Sequence, residues 1–425
     1  MLPALEQFAE RLKPHLYLWV ALAVAIPRLA FVAIAPNRNA YGNAPGLLAL
    51  AKNMAEGRGY LDEEGNPDSY FNPGYPCLLA GCRLLSGDLL LAVKIAHILL
   101  DITTAVVLSW LLLRTSSALT ALFFATAFAL HPLFIHLGNN VNDEPLLIFF
   151  VVTSFVALHQ AIDRPVAWRF ALAGLLLGLA IFTKSTPIFL PFVVTGVIFL
   201  VIRRMKANRV THWLAYLLAS IIVLLPWAYR NYLVFGHFSF STRGIGTNLW
   251  WGSNPRIFAT YGKAQRVAAN EIELEMVAKG IQPPAENNVF DREHWRLRMA
   301  IQQYKELLHQ PGFLAKVLFL KATRTLYATE DRPSAHLPLI LLQIPTILLA
   351  TYGMVRLWKR AETRVLAWLL VLYIGYYYGI VTAGMPMVRY FAPAIPLLLA
   401  AAAVGLVALL STMCAIEKTK LLAQP

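Results

Sequence analysis

Ten apolar stretches of roughly membrane-spanning length run along this chain, and they constrain its fold more than any other feature. They cover residues 16–35, 89–113, 118–131, 145–162, 170–183, 187–202, 213–228, 337–357, 365–383 and 393–410. Several are shorter than the about 20 residues that an upright helix needs to cross a bilayer. The chain is 58% hydrophobic and 14% charged over 425 residues, more apolar than a soluble domain of this length can bury. We therefore predict an all-α polytopic membrane protein with about ten or more transmembrane helices.

The positive charge and the cysteines further limit the class of protein and its partners. In a soluble protein, a formal net charge of +14 would suggest binding to nucleic acid. Here it is better explained by cytoplasmic anchoring charges and by attraction to anionic lipid phosphates, so no nucleic-acid partner is predicted. Three cysteines provide no disulfide framework. The N-terminal segment lacks the pattern of a cleavable signal, so the first apolar stretch is expected to be a retained span.

Basic residues in the short loops predict the orientation. Cytoplasmic loops of membrane proteins are enriched in Lys and Arg. With ten spans, the basic positions that fall on one side are Arg203, Arg204, Lys206, Arg209, Arg356, Lys359, Arg360, Arg364, Arg114, the 163–169 connection and the 417–420 tail. That side is predicted to be cytoplasmic, with both termini inside.

Three segments then face outward, at residues 36–87, 131–144 and 229–336. The third is long enough for a small extramembrane unit, with amphipathic helices predicted at 270–280 and 290–309. The chain accordingly divides into an N-terminal transmembrane module (1–228, including the outward loop 36–87), a periplasmic segment (229–336) and C-terminal transmembrane helices (337–425).

The first outward segment predicts a helix lying along the membrane surface. Leu47, Leu48, Ala51 and Met54 mark one apolar face at helical spacing. The motif GRGY ends this helix, and PGYP leads back into the bilayer, where residues 76–85 are predicted to form a short or re-entrant helix. An ordinary interfacial loop is the alternative interpretation of this segment.

Two carboxylates stand at the mouth of the span that begins near residue 145. Asp143 and Glu144 precede Pro145 and follow three asparagines, Asn139, Asn140 and Asn142. A helix cap is the structural alternative, because carboxylates interact well with the positive end of the helix dipole. Two acids among asparagines favour a polar site, since ionisable groups at membrane depth are costly and usually functional.

Four cations lie at outward ends of predicted spans, where the positive-inside rule disfavours them. They are Lys184, Arg230, Arg243 and Arg389. Any one of them is explained by snorkelling to lipid headgroups. Together they favour an anionic ligand such as a lipid-linked phosphate or pyrophosphate, which Arg binds bidentately and Lys binds as a point charge.

Other catalytic and metal-binding patterns are weak or missing in the sequence. His131 and His136 lie near the acid pair, but their spacing is not a metalloprotease pattern, so no metal site and no certain cofactor are predicted, although a divalent metal is not excluded by the residue types. The sequence contains no P-loop, no GxSxG, no dinucleotide-binding glycine pattern and no CxxC. ATP-driven transport is therefore unsupported by this chain.

An ordered set of motifs resembles bacterial membrane glycosyltransferases of the GT-C superfamily, in the group of protein O-mannosyltransferases and lipid A aminoarabinose transferases. The motifs are LAKNMAEGRGY, NPGYPCLLAG, NDEPLLIFF, FTKSTP, PWAYRNYLVFGHFSFSTRGIGTNLWWGSNP and VRYFAPAIPLLL. The resemblance covers most of the chain. It implies a polyprenyl-phosphate-linked sugar donor, a lipid, glycan or protein acceptor, and inverting transfer on the outer face of the bacterial inner membrane.

The resemblance also implies roles for single residues. Glu144 matches the second acidic position of the family, Lys184 a position that is often basic, and Arg389 the basic residue before the last span. The family's first acidic position corresponds to Asn43, which cannot accept a proton from a hydroxyl. Either another acid then acts as the base, with Glu144 as the first candidate and Asp143 as the alternative, or the catalytic activity of the chain is impaired. Arg230, Arg243, Tyr60 of GRGY and Tyr75 of PGYP are predicted to bind donor or substrate.

Two other functions stay open at this point. A transporter or flippase of polyprenyl-linked sugars also explains the spans, cations and acids, but it does not need the long 229–336 segment and favours internal repeats, which the sequence lacks. A catalytically inactive GT-C scaffold is consistent with Asn43.

Overall fold

The computed structural model describes residues 2–35, 43–201, 210–240, 244–260, 262–285, 289–329 and 333–422, and within these ranges it contains helices and no β-strand. The α-helices, in chain order, are α1 (Leu2–Leu12), α2 (Leu16–Ile34), α3 (Ala44–Ala55), α4 (Gly74–Leu85), α5 (Leu89–Thr115), α6 (Ala118–Leu130), α7 (Pro132–Gly138), α8 (Glu144–Asp163), α9 (Ala167–Thr183), α10 (Leu190–Val201), α11 (Val210–Ile222), α12 (Leu225–Phe235), α13 (Ile245–Ser253), α14 (Pro255–Phe258), α15 (Gly262–Ala278), α16 (Val289–Leu308), α17 (Pro311–Tyr327), α18 (His336–Lys359), α19 (Arg364–Ala383), α20 (Val388–Phe391) and α21 (Ile395–Leu422). Short 3-10 helices lie at Lys13–His15, Pro333–Ala335, Ala361–Thr363 and Ala392–Ala394.

Each of the ten predicted spans overlaps a helix, and the span predicted at 213–228 covers parts of both α11 and α12. In the described part of the chain, seven helical segments are long and apolar enough to cross a membrane: Leu2–Ile34, Leu89–Thr115, Glu144–Asp163, Val210–Phe235, Pro333–Lys359, Ala361–Ala383 and Val388–Glu417. Ala118–Leu130 and Pro132–Gly138, bent by 57°, make an eighth if they are one span, and Ala167–Thr183 is a shorter apolar helix. The predicted all-α architecture is confirmed, while the basic loop at 203–209 lies outside the described residues.

Small residues hold the helix bundle together at its closest crossings. A Cβ atom on Gly353 of α18 would lie 2.0 Å from the carbonyl oxygen of Ala401 on α21. On α9, a Cβ on Gly174 would lie 2.0 Å from the carbonyl oxygen of Tyr216 on α11. In lipid, helices associate through close van der Waals packing rather than through the hydrophobic effect, so these glycines set how near the backbones come.

The described part of the first outward segment, residues 43–87, contains the two predicted helices, which pack on each other. Leu47 and Ala51 on α3 are buried against Tyr75 and Leu79 of α4. The turn in GRGY depends on its glycines, because Gly57 has φ 72° and Gly59 has φ 92°, in the region that favours glycine. The predicted short helix at 76–85 is α4, which begins slightly earlier.

The described part of the third outward segment contains the two predicted amphipathic helices and three more α-helices. The predictions at 270–280 and 290–309 correspond to α15 and α16, while α13, α14 and α17 were not predicted. Trp250 of α13 is buried in a small apolar core with Ile272 of α15 and Ala300 of α16. The short α13 has too few residues to show a periodic pattern, and its apolar face is completed only by its neighbours.

Candidate functional site

The acid pair lies where the chain turns from α7 into α8. Pro145 sits in the first turn of α8, a position that suits proline because no amide hydrogen is needed there. Asn142 shapes the turn, since its side-chain oxygen accepts from the amide of Glu144 (3.2 Å) and its amide group donates to the Leu137 carbonyl (2.8 Å). Asp143 occupies the N-cap position but makes no side-chain capping bond. The cap alternative therefore does not describe Asp143.

Lys184 and Arg389 converge on Glu144. The ammonium of Lys184 donates to Oε1 of Glu144 (2.6 Å) and to Oδ1 of Asp143 (2.8 Å). Nε of Arg389 donates to the same Oε1 of Glu144 (2.6 Å). These four residues form what we call the acid–cation cluster, with two negative and two positive charges. The mutual pairing offsets the large cost of removing such charges from water.

The cluster is open on its cationic side and closed around Glu144. The side chains of Lys184 and Arg389 are 16% and 22% exposed to solvent, whereas that of Glu144 is 1% exposed. Oε2 of Glu144 is buried and has no hydrogen-bond partner within the described ranges. A buried acceptor without a partner is costly, so this oxygen is the natural contact for a group that enters the site.

Lys184 owes its position to the end of α9. The helix ends at Thr183, and Lys184 directly after it adopts an extended backbone conformation. Burial opposes its charge, but the Asp143 and Glu144 carboxylates raise the pKa of Lys184 above its usual value. The residue is therefore a cation throughout the physiological pH range.

Arg389 comes from the C-terminal part of the chain, on the short helix α20. The ring of Tyr390 lies 5.1 Å from the Lys184 ammonium and 5.9 Å from the Arg389 guanidinium carbon. The aromatic face thus adds a cation–π contact to both cations. The cluster joins residues from the predicted 1–228 module to one from the 337–425 segment, so neither part contains it alone.

The NPGYP segment packs beside the cluster. Asn72 donates to the carbonyl of Ile181 in the last turn of α9 (2.7 Å), and a Cβ on Gly74 would lie 2.8 Å from the Thr183 hydroxyl. Tyr75 is fully buried and lies 3.1 Å from Nε2 of His97. Because Nδ1 of His97 faces the Gly138 carbonyl (3.1 Å), it must donate there, so Nε2 accepts from the Tyr75 hydroxyl.

Arg230 belongs to a different cluster. It donates to the carbonyls of Asp68 (2.8 Å) and Tyr60 (3.3 Å), and its guanidinium lies 4.9 Å from the Trp227 ring centroid. The Tyr60 hydroxyl donates to the Phe71 carbonyl (2.9 Å). Arg230 and Tyr60 thereby hold the returning part of the first outward segment.

The remaining predicted site residues lie apart from the cluster or outside the described ranges. Asn43 is exposed at the start of α3 and makes no side-chain capping bond. Arg243 lies outside the described residues. His131 accepts from the Leu133 amide (3.3 Å), and the described residues contain no group of three His, Cys, Asp or Glu side chains placed to hold a metal.

Three residues that shape the site were not predicted from the sequence, namely Asn72, His97 and Tyr390, whereas Asn142 was predicted as part of a polar site. His97 carried a signal, because a histidine inside an apolar stretch is costly unless it has partners. Asp101 carried the same signal, but it forms a buried pair with Arg28 (2.5 Å). Arg28 also donates to the Ala129 carbonyl (3.1 Å), so this pair joins three helices away from the cluster.

One family profile matches part of the chain. The sequence profile of the family described as dolichyl-phosphate-mannose-protein mannosyltransferase matches residues 70–229. That range contains the acid pair and Lys184. No curated protein matches the chain in sequence.

Solved structures agree with this match. The archaeal oligosaccharyltransferase AglB from Archaeoglobus fulgidus, in complex with an inhibitory peptide and a dolichol-phosphate, superposes with a TM-score of 0.58 at 13% identity, over 97% of this chain and 52% of that one. A second structure of the oligosaccharyltransferase from that organism, tethered to an acceptor peptide, gives 0.54 at 13% identity over 92% and 49%. The chain therefore shares the fold of these oligosaccharyltransferases over nearly its whole length.

The GT-C chains in these comparisons differ in length from this one. The chain spans about half the length of the oligosaccharyltransferase chains that it matches. ArnT from Cupriavidus metallidurans, bound to undecaprenyl phosphate, superposes with a TM-score of 0.44 at 15% identity, over 91% of this chain and 77% of that one. The seven long apolar helical segments of the described residues are those of a multi-pass membrane protein.

Proposed function

We propose that this protein is a glycosyltransferase that moves a sugar from a polyprenyl-phosphate donor to a lipid, glycan or protein acceptor on the outer face of the bacterial inner membrane. The observation that carries the proposal is the acid–cation cluster in a GT-C fold. It combines two partly exposed cations, suited to a phosphate, with a buried carboxylate oxygen that has no partner in the described chain. AglB, which has the same fold, was solved with dolichol-phosphate.

The proposed reaction is a single displacement with inversion at the sugar's anomeric carbon. The acceptor hydroxyl oxygen bonds to that carbon while the bond from the carbon to the phosphate oxygen breaks. Lys184 and Arg389 stabilise the negative charge that develops on the departing phosphate. Oε2 of Glu144 takes the hydroxyl proton. The sugar is a hexose or a pentose in this proposal.

Donor binding also prepares the base in this mechanism. In the structure Lys184 and Arg389 both donate to Glu144, which stabilises its negative charge and weakens it as a base. A phosphate placed beside the two cations competes for their hydrogen bonds. The carboxylate is then better able to accept a proton when the donor is in place.

In this proposal, the isoprenoid tail of the donor lies in an open apolar groove. The groove lies between α10 and α19 and is lined by Phe189, Val193, Gly375, Gly379 and Ala383. A Cβ on Gly375 or Gly379 would meet no atom within 4 Å, so the two glycines leave open space. Tyr376, which lines the groove, donates to the carbonyl of Thr186 (2.7 Å), two residues after Lys184 in the chain. We propose that the phosphate of a donor bound here reaches Lys184 from this side.

The test of the proposed function is transfer of a labelled sugar by the purified protein. A polyprenyl-phosphate sugar with a long tail should serve as donor, and one with a short tail should react more weakly because it fills less of the groove. Movement of the intact donor across a vesicle membrane without transfer would instead support a transporter. Donor binding with neither transfer nor movement would support an inactive scaffold.

We also propose a topology, in which segment 229–336 faces the periplasm and both termini are cytoplasmic. A protein without its three native cysteines should carry a new cysteine either at Lys279 or at Arg360, both exposed. An impermeant maleimide should label Lys279→Cys in intact spheroplasts and Arg360→Cys only after lysis. The reverse pattern would contradict the topology and the outer-face site.

A further inference from the structure

The connection between α19 and α20 carries Arg389 to the cluster, and helix α17 holds this connection. Helix α17 lies outside the candidate spans and contacts α16, α18, α19 and α20. Its residue Lys321 is completely buried, although lysine almost never is. The side chain lies between the extramembrane helices and the end of α19, and the catalytic proposal gives it no role.

Two donors from the extramembrane segment converge on one carbonyl. The Lys321 ammonium donates to the Ala383 carbonyl (2.8 Å) and to the Tyr304 hydroxyl (2.6 Å). The Tyr304 hydroxyl donates to the same Ala383 carbonyl (2.7 Å). Ala383 is the last residue of α19, and a carbonyl at a helix C-terminus lacks a partner within the helix. The two side chains therefore fix the point at which the chain leaves α19.

The rest of the connection is held by the same elements. The amide of Val388 donates to the carbonyl of Ala328, which follows α17 (2.9 Å). Met385 and Met387 are buried with Phe258 and Val317 in a separate apolar cluster. Arg389 follows directly and donates to Glu144. A continuous series of contacts thus runs from α17 to the acid–cation cluster.

We propose that Lys321 and Tyr304 are positioning residues that hold the 383–388 connection, and through it keep Arg389 aligned with Glu144 and with the donor phosphate. The extramembrane segment then acts on the membrane site through this contact. Burial lowers the pKa of Lys321 to about 7, and its partners are a carbonyl and a hydroxyl rather than a carboxylate. Its hold on the connection is thus a pair of hydrogen bonds rather than an ion pair.

The test compares Lys321→Met and Tyr304→Phe with Lys316→Met, which changes an exposed lysine on the same helix. Hydrogen exchange of the 384–391 amides should be faster in the first two variants and unchanged in the control. Tyr304→Phe removes only a hydroxyl, so it answers the question if Lys321→Met does not fold. Unchanged exchange in a folded variant would overturn the inference, whether or not the protein is a transferase.

The effect on the site rests on the proposed function and has its own measurement, the binding of undecaprenyl phosphate. Lys321→Met should weaken this binding by about tenfold, the scale of one lost hydrogen bond to a charged group. In an Arg389→Ala background the same change should have no further effect, because both act through one guanidinium. If the losses of binding from Lys321→Met and Arg389→Ala were additive, the positioning role of Lys321 would be contradicted. A wild-type protein that does not bind the probe would count against the proposed function, while the exchange result would still decide the inference.

Discussion

Glu144→Gln should reduce sugar transfer by about 100-fold or more while the protein stays folded and binds the donor at least as well as before. The amide keeps the size of the side chain and still accepts from Lys184 and Arg389 at its oxygen, but it cannot take a proton. Turnover and donor affinity should be measured separately on the same preparations, because the expected effect is confined to turnover.

The controls for this prediction separate the base from its neighbours. Glu306→Gln changes an exposed glutamate on α16 and should leave transfer unaltered. Asp143→Asn should reduce turnover less than Glu144→Gln does. A larger loss of turnover in Asp143→Asn would identify Asp143 as the base. Asn43→Asp tests the match of Asn43 to the family's first acidic position. A large gain in turnover would mean that this chain is an impaired form of an Asp-dependent enzyme. If none of these changes alters turnover, the base lies elsewhere.

Lys184→Met should destabilise the protein by about 3 kcal/mol, the lower end for removing one partner of a buried ion pair. The lower end is expected because Arg389 still neutralises Glu144. Affinity for the donor should fall by about 1–3 kcal/mol, the scale of a lost hydrogen bond to a charged group. Unfolding in detergent and donor binding measure the two effects.

A double variant distinguishes stability from binding in this case. After Lys184→Met, the two carboxylates face Arg389 as their one remaining cation in the cluster. Adding Glu144→Gln removes this excess negative charge, so most of the lost stability should return, while donor affinity should stay low. Lys305→Met, an exposed lysine on α16, is the matched control and should change neither quantity. Full recovery of donor affinity in the double variant would show that Lys184 acts only as the partner of Glu144.

Much of the architecture can be predicted from the sequence because it depends on local patterns. An apolar stretch of sufficient length has to form a helix in lipid, since its backbone groups have no other partners there. The acid pair was recognisable for the same reason, as charged residues at a helix start in an apolar setting need an explanation. The helices α15 and α16 followed from their amphipathic spacing.

Which of the candidate residues meet was decided only by the tertiary structure. Glu144 and Arg389 are 245 positions apart in the chain, and the contact between them depends on how α8, α20 and the helices around them pack. Arg230 has the same residue type and the same place near a span end, yet it binds the carbonyls of the first outward segment. The Lys321 contact with the end of α19 is equally non-local. Sequence patterns report which side chains are costly to bury, whereas the packing of distant helices determines which partner offsets that cost.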